Sequence, residues 1–236
     1  MPSTADQAAA EVSANLARVR ERIAAAAGRS GRDPAVVTLV GAAKRQPPER
    51  LRAAREAGLL VFGENLVQEA EAHREIVPDA EWHLIGPLQS NKAKRAVELF
   101  STVQSVDRLK IARKLDREAG ERGRVLDCFL EVNLGGEESK AGFPARDLAA
   151  QVAPVAELPS LRVVGLMAIP PAPERPEDSR FWFRRLRELS EELAGRPEWA
   201  SWPGFLSMGM TADFEVAVEE GATHVRVGTA LFGKRA

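Results

Sequence analysis

"VVTLVGAAKRQPPERLRAAREAGLLVFGEN", residues 36–65, holds one repeat of the architecture. An apolar, β-branched run (36–43) ends on Lys44 and Arg45, and Pro47 and Pro48 then stop the extended chain. Pro48 suits the first turn of a helix, where a missing N–H leaves no bond unmade. Gly58 suits the helix exit, and a second β-rich run (59–63) leads into Glu64 and Asn65. Strand, helix and strand in so short a span form a βαβ unit, whose strands lie parallel.

The alternation continues outward in both directions. Apolar runs at 81–85, 102–106, 125–132, 161–169, 205–208 and 223–227 are separated by helical stretches at 66–76, 91–100, 108–121, 145–156, 178–193 and 212–220. Upstream, Val12, Leu16, Val19 and Ile23 recur at helical steps of three and four. Eight strands in one α/β series predict a closed (β/α)8 TIM barrel, typically about 250 residues long. A doubly wound open sheet is the alternative. Only "GTALFGKRA" follows the eighth strand, so the N-terminal helix is expected to complete the outer ring in place of an eighth C-terminal helix. With no shift of composition and no repeat of sequence, a single domain over residues 1–236 is expected, with "IPPAPERPED" after strand six as a mobile loop.

A formal net charge of −1 argues against nucleic-acid or anionic-membrane partners. "RFWFRRLRELSEEL" mixes both signs and reads as a solvated helix face. Cys128 is the one cysteine, so no internal disulfide forms, and its apolar setting reads as a small buried hydrophobe. The N-terminus lacks the pattern of a signal peptide and no apolar stretch is long enough for a bilayer, so the expected location is cytoplasmic. A closed barrel leaves no sheet edge to cover, so a monomer is expected.

In such a barrel the chemistry sits at the C-terminal ends of the strands. Lys44 ends strand one, Asn65 follows strand two, His83 lies in strand three and Met167 ends strand six. The loops after strands seven and eight carry Ser207-Met208-Gly209-Met210-Thr211 and Gly228-Thr229-Ala230. Their glycines, hydroxyls and backbone N–H groups are what a phosphate requires. Period-2 alternation in "HVRVG" turns Arg226 into the barrel, to pair with a strand carboxylate such as Glu131 or to face a ligand. Together, a lysine, an inward arginine and a phosphate cradle suit pyridoxal 5′-phosphate (PLP). The neutral lysine amine forms an imine with the aldehyde. An arginine at the pyridine nitrogen keeps its proton and so disfavours protonation of the ring, weakening it as an electron sink. No metal is expected: His73, His83 and His224 lack ligand spacing. His73 reads as solvent-facing, His224 as structural, and His83 as either a core or a mouth residue. Trp82 and Trp182 read as packing.

"GAAKRQP", "FGENLVQEA", "WHLIGPLQSNKAK", "SVDRLKIA", "GLMAIPP" and "SMGMTADFEVAVEEGATHVRVGTALFG" closely resemble the pyridoxal-phosphate homeostasis proteins, single-domain relatives of the alanine racemase barrel. The resemblance runs in order from about residue 36 to the C-terminus. It implies PLP held as an internal aldimine on Lys44. It places Asn65, His83 and Met167 around the ring, Arg226 at the pyridine nitrogen, and Ser207, Gly228 and Thr229, beside Gly209 of the same loop, at the phosphate. Leu66 stands where the family usually carries a tyrosine, and "ESKAGF" matches the family's strand-five loop and sets Lys140 near the mouth.

Racemisation needs proton removal on one face of the substrate and delivery on the other. In alanine racemases a tyrosine of a second domain serves the second face, and this chain has no tyrosine. The expectation is therefore a PLP carrier without catalytic residues, maintaining intracellular PLP and touching apo PLP enzymes transiently. A PLP-dependent amino-acid enzyme such as a racemase is the alternative, and a phosphosugar-type barrel enzyme with an imine-forming Lys44 is a third.

Overall fold

The computed structural model describes residues 4–137, 140–199 and 202–233. Eight parallel strands run around a barrel: β1 (Thr38–Ala42), β2 (Val61–Glu64), β3 (Glu81–Leu84), β4 (Thr102–Val106), β5 (Leu126–Asn133), β6 (Leu161–Met167), β7 (Phe205–Ser207) and β8 (His224–Val227). β1 pairs with both β2 and β8, and β4 pairs with β5, so the sheet closes and the open-sheet alternative falls away. A two-residue strand, Phe143–Pro144, adds to Val132 and Asn133 outside this ring.

The helices are α1 (Thr4–Arg29), α2 (Pro48–Glu56), α3 (Val67–Ile76), α4 (Ala93–Leu99), α5 (Leu109–Gly120), α6 (Leu148–Ala156), α7 (Arg180–Ala194), α8 (Phe214–Glu219) and the short α9 (Thr229–Phe232). The expected first strand loses its start because the Asp33 carboxylate accepts from the Ala35 N–H and folds Pro34–Val36 into a 3-10 turn. Val12, Leu16, Val19 and Ile23 are buried, and α1 packs against α2, α8 and α9. A short helix, α9, does follow β8, contrary to the expectation that none would, and α1 packs over it. Asn15 Nδ2 donates to the Leu231 carbonyl at 3.0 Å, and Arg22–Glu215 and Arg29–Glu219 pair at 2.7 Å each.

The main hydrophobic core lies between strands and helices, while two small clusters, Val40/Val61/Ile85 and Phe129/Val164/Met167, are separate from it. His83, Gln104, Ser207 and Arg226 are buried as well, where branched apolar residues usually fill a barrel interior. One expectation needs correction here. The charged run on α7 is not merely solvated, because Arg180, Arg184 and Arg187 converge on Glu220 at 3.0–3.2 Å.

Candidate functional site

β1 ends in a tight turn in which the Gln46 N–H donates to the Ala43 carbonyl at 2.9 Å. Arg45, directly after the lysine, is left-handed at φ 56, and its N–H donates to Glu69 Oε2 at 3.1 Å. A non-glycine residue in that region costs roughly 1 kcal/mol or more, which the turn and the α3 carboxylate offset. The turn sets half-buried Lys44 on the wall of a cavity of about 380 Å³ at the C-terminal mouth. Asn65, Arg226, Gly228 and Thr229 share that wall, with Ala42, Gln46, Met210, Thr211 and Ala212. Asn65 is held by close approach: a Cβ on Gly86 would lie 2.5 Å from its carbonyl oxygen.

Arg226 is buried, with Nη1 donating to Ser207 Oγ at 2.6 Å and Nη2 to the Ala168 carbonyl at 2.9 Å. Neither bond uses Nε. Of the two readings of this arginine, the pairing with Glu131 does not form; the two act on each other only through charge. Burial pulls the guanidinium down to about 10, still charged at neutral pH. Ser207 Oγ in turn donates to Gln104 Oε1 at 2.6 Å, Gln104 Nε2 lies 2.8 Å from His83 Nδ1, and His83 Nε2 lies 3.0 Å from Glu81 Oε1.

The loop after β7 turns at Gly209 (φ 88), where a Cβ would come within 2.5 Å of Ala217 Cβ on α8. Asp213 fixes the loop by accepting from the Met210 N–H at 2.8 Å and from Ser179 Oγ at 2.6 Å. Thr211 Oγ1 accepts from the Ala230 N–H at 3.3 Å, joining the loops after β7 and β8.

The structure thus brings Lys44, Asn65, Arg226, Gly228 and Thr229 to one cavity, and leaves His83, Met167, Ser207 and Gly209 off its wall. Ser207 is fully buried with its hydroxyl engaged by Gln104 and Arg226, and Met167 packs on Phe129 and Val164. Strand alternation places such residues inside the barrel but does not say how deep. Thr211 and Gln46 line the cavity although the sequence reading singled out neither as a contact. The hydroxyl four residues beyond Ser207 was the available signal for Thr211. Gln104 also had a signal, as an amide in the apolar run "TVQSV". His73 is not solvent-facing: its Nδ1 lies 2.6 Å from Oε1 of the fully buried Glu64, whose carboxyl burial pushes up. His224 makes an edge-type ring contact with Phe129, and burial pushes its imidazole down to about 3. Leu66 is exposed and off the Lys44 cavity. Among the described residues there is no cluster of three or more side chains able to hold a metal. No described helix is long and apolar enough to cross a membrane.

A second cavity of about 400 Å³ adjoins the first at Met210 and is lined by Glu131, Asn133, Lys140 and the apolar segment 169–172. Burial, with the Asp107 charge behind it, pushes the Glu131 carboxyl up to about 7. Lys140 pairs with Glu137 at 2.6 Å, and Ser139 of the "ESKAGF" motif lies outside the described residues. As a donor set, the first cavity offers an amine, a fixed guanidinium, and hydroxyls beside a glycine. At about 380 Å³ it is within the roughly 300–1,000 Å³ of small-ligand pockets. It fits a flat ligand carrying a carbonyl carbon, a ring acceptor and an anionic end.

The family described as "Alanine racemase, N-terminal domain" matches residues 11–236. The pyridoxal phosphate homeostasis protein of Aquifex aeolicus is 46% identical over 222 residues, covering 93% of this chain and 96% of its own. That of Escherichia coli strain K12 is 40% identical, covering 95% and 97%. The structure of PipY from Synechococcus elongatus with PLP bound is 38% identical with a TM-score of 0.82, covering 94% of this chain and all of that one. An alanine racemase of Clostridium difficile, 12% identical with a TM-score of 0.70, shares the fold over 56% of its length.

Proposed function

The chain belongs to the pyridoxal phosphate homeostasis protein family, and from that premise we propose that it binds PLP covalently through Lys44 and maintains the PLP supply without catalytic turnover. The observation that carries this reading is one cavity wall holding Lys44, Arg226, Thr211, Gly228 and Thr229 together. When bound, the cofactor supplies an aldehyde carbon that condenses with a primary amine. Lys44 Nζ is the nucleophile, and the Arg45 turn aims it. Thr211, Thr229 and the Gly228 backbone hold the phosphate end. Arg226 meets the ring nitrogen as a donor that does not give up its proton, so the ring stays a weak electron sink. His83, Met167, Ser207 and Gly209 support this site from behind.

The side chains at the mouth support the part of this proposal that excludes turnover. Lys44 serves one face of a bound amino acid, no tyrosine exists in the chain, and among the described residues no histidine lines the cavity. Free PLP is then bound and released rather than used, and transient delivery to apo PLP enzymes belongs to the same proposal. One domain over residues 1–236 acting as a cytoplasmic monomer completes it, since the closed sheet leaves no barrel strand unpaired.

The test is an absorbance titration with PLP, followed by borohydride reduction and peptide mapping. A visible band should grow, the reduced adduct should map to Lys44, and Lys44→Ala should lose both. An adduct elsewhere, or none, rejects the assignment. Solvent deuterium entering Cα of supplied amino acids at turnover rates would reject the carrier reading and favour a racemase-type enzyme.

A further inference from the structure

Arg226 is the head of a buried chain of hydrogen bonds that runs from the cavity to the opposite end of the barrel. Its links are Arg226 Nη1 to Ser207 Oγ at 2.6 Å, Ser207 Oγ to Gln104 Oε1 at 2.6 Å, Gln104 Nε2 to His83 Nδ1 at 2.8 Å and His83 Nε2 to Glu81 Oε1 at 3.0 Å. Glu81 opens β3 at the barrel floor, where its side chain is 51% exposed and also accepts from Ser101 Oγ at 3.1 Å.

The direction of every link follows from the first. A guanidinium has donors only, so Ser207 Oγ must accept from it and spend its own proton elsewhere. That proton goes to Gln104 Oε1, which turns the Gln104 amide so that Nε2 faces His83. Nδ1 of His83 is therefore an acceptor, and the ring proton sits on Nε2, toward Glu81. Four residues on four strands thus share one consistent polarity, anchored at the floor by a carboxylate. Nη2 is fixed separately on the Ala168 carbonyl, so the guanidinium plane has two independent anchors.

We propose that Ser207, Gln104 and His83 are positioning residues that hold Arg226 rigidly toward the ligand ring, so that the site selects a ring with an unprotonated nitrogen acceptor. This rests on the proposed binding of PLP at Lys44. A preorganised donor loses little freedom when the ligand arrives, whereas a loose arginine would close on its own interior acceptors and give up the discrimination.

The experiment compares the dissociation constants of PLP and of its 1-deaza analogue, which carries C–H in place of the ring nitrogen and keeps the aldehyde and phosphate. The wild type should favour PLP by about tenfold or more, the scale of one hydrogen bond to a charged group. Gln104→Leu and Ser207→Ala should cut that ratio to below about threefold while Lys44 still traps either ligand with borohydride. His83→Gln should preserve the ratio, because a carboxamide offers one acceptor and one donor as the neutral imidazole does, and His83→Leu should lose it. Ser207→Ala removes a single oxygen and keeps the test valid if Gln104→Leu does not fold. Wild-type ratios in Ser207→Ala and His83→Leu would overturn the relay alone. A wild type that traps no ligand at Lys44 would overturn the proposed function beneath it.

Discussion

The hydroxyl of Thr211 and the missing Cβ of Gly86 act on the site in different ways. Thr211 lines the cavity and ties the loops after β7 and β8 through the Ala230 N–H. Thr211→Val keeps the shape and deletes the polar oxygen, so PLP affinity should fall about tenfold in an absorbance titration, the scale of one charge-assisted bond, with the adduct still on Lys44. An unchanged affinity would place the phosphate elsewhere. Gly86 acts through the backbone, since an added Cβ would sit 2.5 Å from the Asn65 oxygen and 2.6 Å from its Cα. No rotamer relieves that contact. Gly86→Ala should cost about 1–3 kcal/mol in denaturant melts and weaken PLP binding as the Asn65 loop moves.

At the scale of elements, α1 packs on the outer helices α2 and α8 and is linked to the short helix α9 that begins beside the cavity. Leu16 is buried in the core, and neighbouring Asn15 donates to the Leu231 carbonyl of α9. Leu16→Ala should destabilise by about 2–5 kcal/mol through lost burial and the void it leaves. Asn15→Ala should cost about 1–3 kcal/mol by stranding a buried carbonyl. Thermal melts of the two variants check both. The strands and this helix were legible because burial imposes a period: alternating apolar runs gave all eight strands, and Val12, Leu16, Val19 and Ile23 marked the buried face of α1. Lys44 and Arg226 were legible for a related reason, being charges at places where a strand would otherwise be apolar. The relay was not legible. Periodicity says that Ser207 and His83 point inward, but which oxygen meets which nitrogen depends on the stagger between strands that are distant in sequence, and Ser207 and Gln104 lie 103 residues apart. The contact between His73 and Glu64 was hidden likewise, because a charged helix shows its inward side only once it is docked.

For the molecule as a whole, two part-buried groups make stability depend on pH in opposite senses. Burial raises the Glu131 carboxyl from 4.5 to about 7, so the folded protein holds that proton more tightly than the unfolded chain. Its contribution is complete below pH 4.5 and is lost as pH rises to about 7. Burial lowers the His224 imidazole from 6.5 to about 3, so the unfolded chain takes up a proton first as pH falls. That contribution is complete above pH 6.5 and is lost as pH falls toward 3. Between pH 4.5 and 6.5 the two slopes oppose each other and flatten the dependence that these groups impose on the apo protein. Single substitutions separate them. Glu131→Gln removes the cost of ionising a part-buried carboxyl, so its melting temperature should gain on the wild type as pH rises from 4.5 to 7 and then level off. The matching gain in stability should reach at most roughly 3.5 kcal/mol, at about 1.4 kcal/mol per pKa unit. His224→Asn should gain on the wild type in the other direction, as pH falls below 6.5. Melts of apo protein across this range decide the matter, because a difference that stays flat with pH in both variants would mean that neither group is desolvated by the fold. Adding PLP to the same melts then reads the site against this background: a ligand bound only by the folded state raises stability by RT ln(1 + [L]/Kd), and Lys44→Ala should lose most of that increment.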